Sequence, residues 1–131
     1  MRLLICGDRH WKDKACIKQA LESLSYPAGE SLVIIHGAAT GADTLAGEIA
    51  EELGIPVEVY PAQWKKFGKG AGPRRNQQML EEGKPTHVWA FHEYLENSKG
   101  TRDMVTRAIG AGLPTTNYTG KLIILVTAVT R

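Results

Sequence analysis

The stretch LVIIHGAATGADTLAGEIAEEL, Leu32–Leu53, decides the fold. It opens on a short apolar run, LVIIH, with the length and composition of a buried strand. Gly37 stops that run. The loop HGAATGAD (His36–Asp43) follows, and then Leu45, Ala46, Ile49, Ala50 and Leu53 recur at helical spacing, with Gly54 as the stop. A strand that is apolar throughout, handing over to an amphipathic helix, is a half-unit of a parallel sheet covered on both faces.

The same alternation runs outward in both directions. Upstream, RLLICG (Arg2–Gly7) reads as a buried strand, and Ile17, Ala20, Leu21 and Leu24 as a helix stripe that Asp13 can cap. Downstream, VEVY (Val57–Tyr60) is a third strand. A long glycine- and proline-rich loop leads to a helix over Arg74–Glu82 begun at Pro73. HVWAF (His87–Phe91) is a fourth strand and Thr101–Gly110 a further helix. Pro114–Tyr118 and Lys121–Val129 are both strand-like, and one of them can pair antiparallel at the sheet edge. The expected architecture is α/β, a three-layer Rossmann-like doubly wound parallel sheet, in one domain over residues 1–131.

Composition bounds the function. Of 131 residues, 43% are apolar and 23% charged, ordinary for a soluble globular chain. A net charge of +2 does not mark a nucleic-acid binder. Apolar runs all fall short of the roughly 18 residues of a membrane helix. Without a signal peptide the expected compartment is cytoplasmic, with Cys6 and Cys16 reduced. His10, His36, His87 and His92 show no ligand spacing, so neither a metal nor a cofactor is expected.

Ligands of doubly wound sheets bind outside the carboxyl ends of the strands. The loops there are GDRHW (Gly7–Trp11), HGAATGAD, PAQWKKFGKGAGPRRN (Pro61–Asn76) and HEYLENSKGT (His92–Thr101), and they hold most of the glycine and polar residues. The opposite connections, Ser25–Ser31 and Leu53–Pro56, read as plain turns. In the second loop, Gly37 and Gly41 let backbone amides approach an anion at a helix N-terminus. Thr40 as cap with Asp43 reaching back is the structural alternative. Arg74 and Arg75 stand at a helix start, where the dipole disfavours cations, which points to a bound anion. Lys99, Gly100 and Thr101 repeat the glycine–hydroxyl–helix pattern, again with a plain Thr cap as the alternative. Asp8 and Arg9 can meet a ribose, base or phosphate, or pair at the surface. Trp11 and Trp64 can stack on a base or pack over a loop, and Trp89 reads as core.

Taken together, GDR after strand one, HGAATGAD after strand two, the PAQWKKFGKGAGPRRNQQML stretch and a GT-started helix after strand four resemble the SLOG superfamily, and within it the small YpsA-related proteins of bacteria and phages. The resemblance runs from Arg2 to about Pro114. It implies a Rossmann-like fold and a nucleotide or nucleotide-derived ligand. The candidate ligand contacts are Gly7, Asp8, Arg9, Gly37, Thr40, Gly41, Asp43, Arg74, Arg75, Asn76, Lys99, Gly100 and Thr101. Relatives often form homodimers. Cytokinin-activating phosphoribohydrolases of the superfamily cleave nucleoside 5′-monophosphates, and its DNA-processing protein binds single-stranded DNA.

The phosphoribohydrolase pattern has an Arg-basic pair at a helix start and PGGxGTxxE. Arg74-Arg75 and Gly100-Thr101 match it. Glu96-Asn97-Ser98 replaces PGG, and Met104 stands where those enzymes carry a catalytic Glu. Asp103 lies one residue early, about 100° round the helix. Three expectations follow. The first is a nucleotide sensor or binding module. The second is an N-glycosidic hydrolase using Asp103, Asp43 or Asp8 as its carboxylate. The third is single-stranded nucleic-acid binding through Lys65–Arg75 with Trp64 and Phe67, against which the near-neutral net charge argues.

Overall fold

The computed structural model describes residues 1–25, 29–120 and 123–126. Six strands form one sheet: β1 (Arg2–Gly7), β2 (Val33–His36), β3 (Val57–Val59), β4 (His87–Phe91), β5 (Thr115–Tyr118) and β6 (Ile123–Val126), in spatial order β3-β2-β1-β4-β5-β6. The first five are parallel, and β6 pairs antiparallel with β5. This is the Rossmann-like arrangement expected, with the antiparallel strand at the carboxyl-terminal edge. The rest of the Lys121–Val129 run, and Tyr26, Pro27 and Ala28 of the Ser25–Ser31 turn, lie outside the described residues.

Strand alternation divides the core. Leu3, Ile5, Ile34, Trp89 and Phe91 face α1 (Lys14–Glu22) and α2 (Ala42–Glu52). Leu4, Cys6, Ile35, Val88 and Ala90 face α4 (Ala71–Gly83) and α5 (Gly100–Gly110). Both faces of every central strand are therefore buried, which explains their unbroken apolar runs. Asp13 caps α1, its Oδ1 accepting from the Cys16 N–H at 3.0 Å. Trp11 is buried edge-on against Phe91 and donates Nε1–H to the Asp13 carbonyl at 3.0 Å, so it packs the core rather than a ligand. Both cysteines are free, Cys6 buried beneath the Trp89 carbonyl.

The stretch expected as a long loop is mostly helical. Trp64–Phe67 forms a short helix, α3, and a 3₁₀ turn (Gly68–Gly70) runs directly into α4. Gly70 already has helical angles, so Pro73 falls inside the first turn, where its missing N–H costs nothing. Helix α4 therefore starts at Ala71, three residues before the expected Arg74. Arg74 and Arg75 sit beyond its first turn, and the macrodipole argument for them is weaker than the sequence suggested.

The end of the sheet opposite the glycine loops is tied by side chains. Arg2 donates to Glu58 Oε1 at 2.6 Å and to the Gly83 carbonyl at 2.7 Å, and Tyr60 donates to the same Glu58 oxygen at 3.2 Å. At the other end, between β1 and β4, strand order reverses. Gly7 lies in that crevice. A Cβ there would overlap the Phe91 carbonyl oxygen and stand 2.7 Å from the Ala42 Cβ. We expect Gly7→Ala to cost about 2 kcal/mol or more, as overpacking does. Urea denaturation checks this, and an unchanged midpoint would refute so close an approach of β1 to β4 and α2.

Candidate functional site

The loop after β2 is held from within by Asp43. This residue lies in the first turn of α2 and is only 4% exposed. Its Oδ2 accepts the Gly37 N–H at 3.1 Å and the Ala39 N–H at 3.3 Å. Thr44 adds a hydroxyl bond to the Ala39 carbonyl at 2.8 Å. Thr40 does not cap α2. The cap residue is Gly41, at φ +80°, with no side-chain bond to the helix. A side chain at 41 would overlap the Asp8 carbonyl, which accepts the Ala42 N–H at 3.1 Å. The β1 loop is thus packed directly on the start of α2, and only glycine fits the junction. Thr40 points to solvent, leaving the first turn of α2 without a capping side chain.

Arg75 closes the loop from outside. Its Nη1 donates to the Gly37 carbonyl at 2.5 Å, and its guanidinium occupies the space a Cβ at 37 would take. Gly37 is required for this contact rather than for a turn. The neighbouring Asn76 reaches the third loop. Its Oδ1 accepts Arg75 Nε–H at 3.1 Å, while its Nδ2 donates to Asp103 Oδ2 at 2.9 Å and to the Gly100 carbonyl at 3.3 Å. Arg75 and Asn76 therefore bridge the mouths of α2 and α5.

Not every expected residue joins this cluster. Arg74 turns away, its guanidinium 4.3 Å from the centre of the Phe67 ring. Arg9 and Lys99 are exposed, and Asp8 Oδ1 accepts the His10 N–H at 2.9 Å. The mouth of α5 is capped by Ser98, not by Thr101. Ser98 is extended and its Oγ accepts the Thr101 N–H at 3.0 Å. The N–H of Lys99 and Gly100 have no hydrogen-bond partner among the described residues. Ser98 and Arg107 were not singled out from the sequence. Serine three residues before Thr101 is a capping signal that would have found the first. Arg107 donates to Asp103 Oδ2 at 2.8 Å from one turn away, a spacing readable in the sequence as an i,i+4 pair.

The electrostatics are set by burial. Burial pushes the Asp43 carboxyl up to about 6, against the opposing pull of Arg75 and the two amides. Burial, and then the Arg75 charge, push the His36 imidazole down. A neutral ring fits its contact, since His36 Nδ1 accepts the Ala38 N–H at 3.0 Å. The edge so built offers a half-buried cation and, at the mouth of α5, the backbone amides of Lys99 and Gly100, whereas at the start of α2 the Ala42 and Thr44 N–H are already taken by the Asp8 and Ala39 carbonyls. That combination suits an anion. A small pocket of about 40 Å³ adjoins it, lined by Gln63, Phe67, Arg74, Arg75 and Gln78 among others. No helix among the described residues is long and apolar enough to cross a membrane.

A profile of the YspA, cpYpsA-related SLOG family matches residues 1–67. The Gene 61 protein of Mycobacterium phage D29 is 36% identical over 125 residues, covering 92% of this chain and 98% of that protein. No solved structure gives a significant match. The family match spans the β1 loop and the whole Gly37–Asp43 loop, and ends before Arg75.

The Asp43 shift has a measurable consequence. A carboxyl with a raised folded pKa binds its proton more tightly in the folded chain. That contribution is full below about pH 4 and lost as pH rises through about 6. Asp43→Asn keeps an oxygen acceptor for the two amides and removes the titration. Relative to this variant, the native chain should lose about 2 kcal/mol of unfolding free energy from about pH 4 to about pH 7. Urea titrations across that range test it, and a pH-independent difference would sink it.

Proposed function

The chain belongs to the YspA, cpYpsA-related SLOG family, and we propose that it is a cytoplasmic binding module for a nucleotide or nucleotide-derived small molecule. The observation that carries this reading is the Arg75–Asn76 bridge between the mouths of α2 and α5. In the proposed complex the ligand phosphate lies against Arg75 and at the amides of Lys99 and Gly100, which have no hydrogen-bond partner among the described residues. Asp8 and Arg9, at the switch point between β1 and β4, face the ribose and base. The whole of residues 1–131 would act as one such domain.

The alternative is hydrolysis of a nucleotide N-glycosidic bond. It requires a carboxylate able to face the sugar as positive charge develops there. Asp43 holds two backbone amides, and Asp103 is engaged by Asn76 and Arg107. A carboxylate already occupied by donors is a weaker stabiliser of an oxocarbenium ion. This favours binding over turnover, and leaves Asp8 as the candidate with the fewest contacts among the described residues.

Thermal shift and calorimetry against a panel of nucleoside mono- and diphosphates and dinucleotides test the reading. Arg75→Ala should weaken the tightest-binding nucleotide about 10- to 100-fold, the loss of one charge-assisted contact. Arg74→Ala should weaken it far less. Equal affinity of Arg75→Ala and the native chain would overturn the site. Chromatography of the same incubations should show no free base. Released base that disappears in Asp8→Asn or Asp103→Asn would establish the hydrolase instead.

A further inference from the structure

The charge of the chain is segregated. Residues 61–76 contain five cations and no carboxylate, although the net charge of the whole chain is only +2, so the remainder is net acidic. Four of the five, Lys65, Lys66, Lys69 and Arg74, are exposed on α3, the 3₁₀ turn and the start of α4. None of the four forms an ion pair with a carboxylate among the described residues. Elsewhere Arg2, Lys14 and Arg107 are paired.

This surface is ordered, not a floppy basic loop. Helix α3, the 3₁₀ turn and α4 follow one another from Trp64 to Gly83, with one non-helical junction at Gly68, φ +56°. Phe67 holds Arg74 at 4.3 Å and Lys66 at 5.1 Å from its ring centre, which ties both cations to one aromatic side chain. Trp64 stands 59% exposed at the start of α3, against 8% for Trp11 and Trp89. A large indole held in water beside several unneutralised cations has an unpartnered stacking face.

We infer that the face formed by α3 and the 3₁₀ turn binds single-stranded nucleic acid, with Trp64 stacking on a base and Lys65, Lys66, Lys69 and Arg74 meeting successive phosphates. An unpaired base offers the π-face that a duplex keeps stacked inside, and stacking with backbone neutralisation is the general mode for single strands. The site is independent of the Gly37–Asp43 loop. Only Arg74 lies next to a residue of the nucleotide site, so the two readings stand or fall separately.

Fluorescence anisotropy of fluorescein-labelled 12-mer thymidine and uridine oligonucleotides, with duplex DNA and heparin as competitors, tests this surface. Affinity should fall with salt along a log–log slope of about −0.7 per phosphate met, so about −3 for four contacts. Trp64→Ala should weaken binding about 5- to 100-fold, and Trp64→Phe should restore most of it. The triple variant Lys65→Ala, Lys66→Ala, Lys69→Ala should flatten the salt slope while keeping nucleotide binding. Because Trp11 and Trp89 are buried, the oligonucleotide should quench tryptophan emission in the native chain and not in Trp64→Ala. The inference fails if the oligonucleotides do not bind at low salt, if Trp64→Ala binds as tightly as the native chain, or if duplex DNA or heparin competes as well as single strands.

Discussion

A buried carboxylate inside a loop and a guanidinium outside it are the constraint on which the carboxyl edge of this sheet depends. Asp43 draws in the amides of Gly37 and Ala39, and Arg75 takes the Gly37 carbonyl from the other side. Between them the two side chains satisfy backbone groups that the end of β2 leaves without ladder partners. The arrangement has a cost, visible in the raised Asp43 pKa, because the carboxylate is desolvated to reach those amides. It also joins two layers of the fold. Asp43 belongs to a helix on one face of the sheet and Arg75 to a helix on the other, so the loop is where the layers meet.

The architecture was readable because burial on both faces leaves a plain trace. Apart from Arg2, His36 and His87 at their ends, Leu32–His36, Arg2–Gly7 and His87–Phe91 are unbroken apolar runs, as strands covered on both faces require. Helix boundaries were less readable. In the stretch from Trp64 to Asn76, three glycines and Pro73 read as breakers, yet Gly70 and Gly72 adopt helical angles and Pro73 sits where no backbone bond is lost. Local propensity gave the wrong answer there because position within the first turn, not composition, decides whether proline interrupts a helix.

The site was legible as a set of loops but not as a set of contacts. Glycine loops at strand ends are placed by topology, so Gly37, Gly41 and Gly100 could be named from order alone. Which of two adjacent arginines faces the loop depends on about 100° of helix rotation, which the packing of α4 on the sheet sets. Arg75 turns to the Gly37 carbonyl and Arg74 to the Phe67 ring. Thr40 failed as a cap because the junction with the β1 loop demands a positive φ, which puts Gly41 at the cap position. The Asn76 bridge spans 24 and 27 residues in sequence, beyond the reach of any local pattern.

At the far end of the sheet, Arg2, Glu58, Tyr60 and the Gly83 carbonyl bond to one another and leave little for anything else. The two ends of the molecule therefore tolerate change differently. A substitution among those four is felt by β1, β3 and α4 together, whereas the exposed side chains of Arg9, Thr40 and Lys99, on the opposite rim, form no hydrogen bond or ion pair among the described residues. Change can proceed at that rim, one exposed side chain at a time, while the fastening at the far end keeps the strands in register. Such a chain can change the surface of one edge long before it changes how it folds.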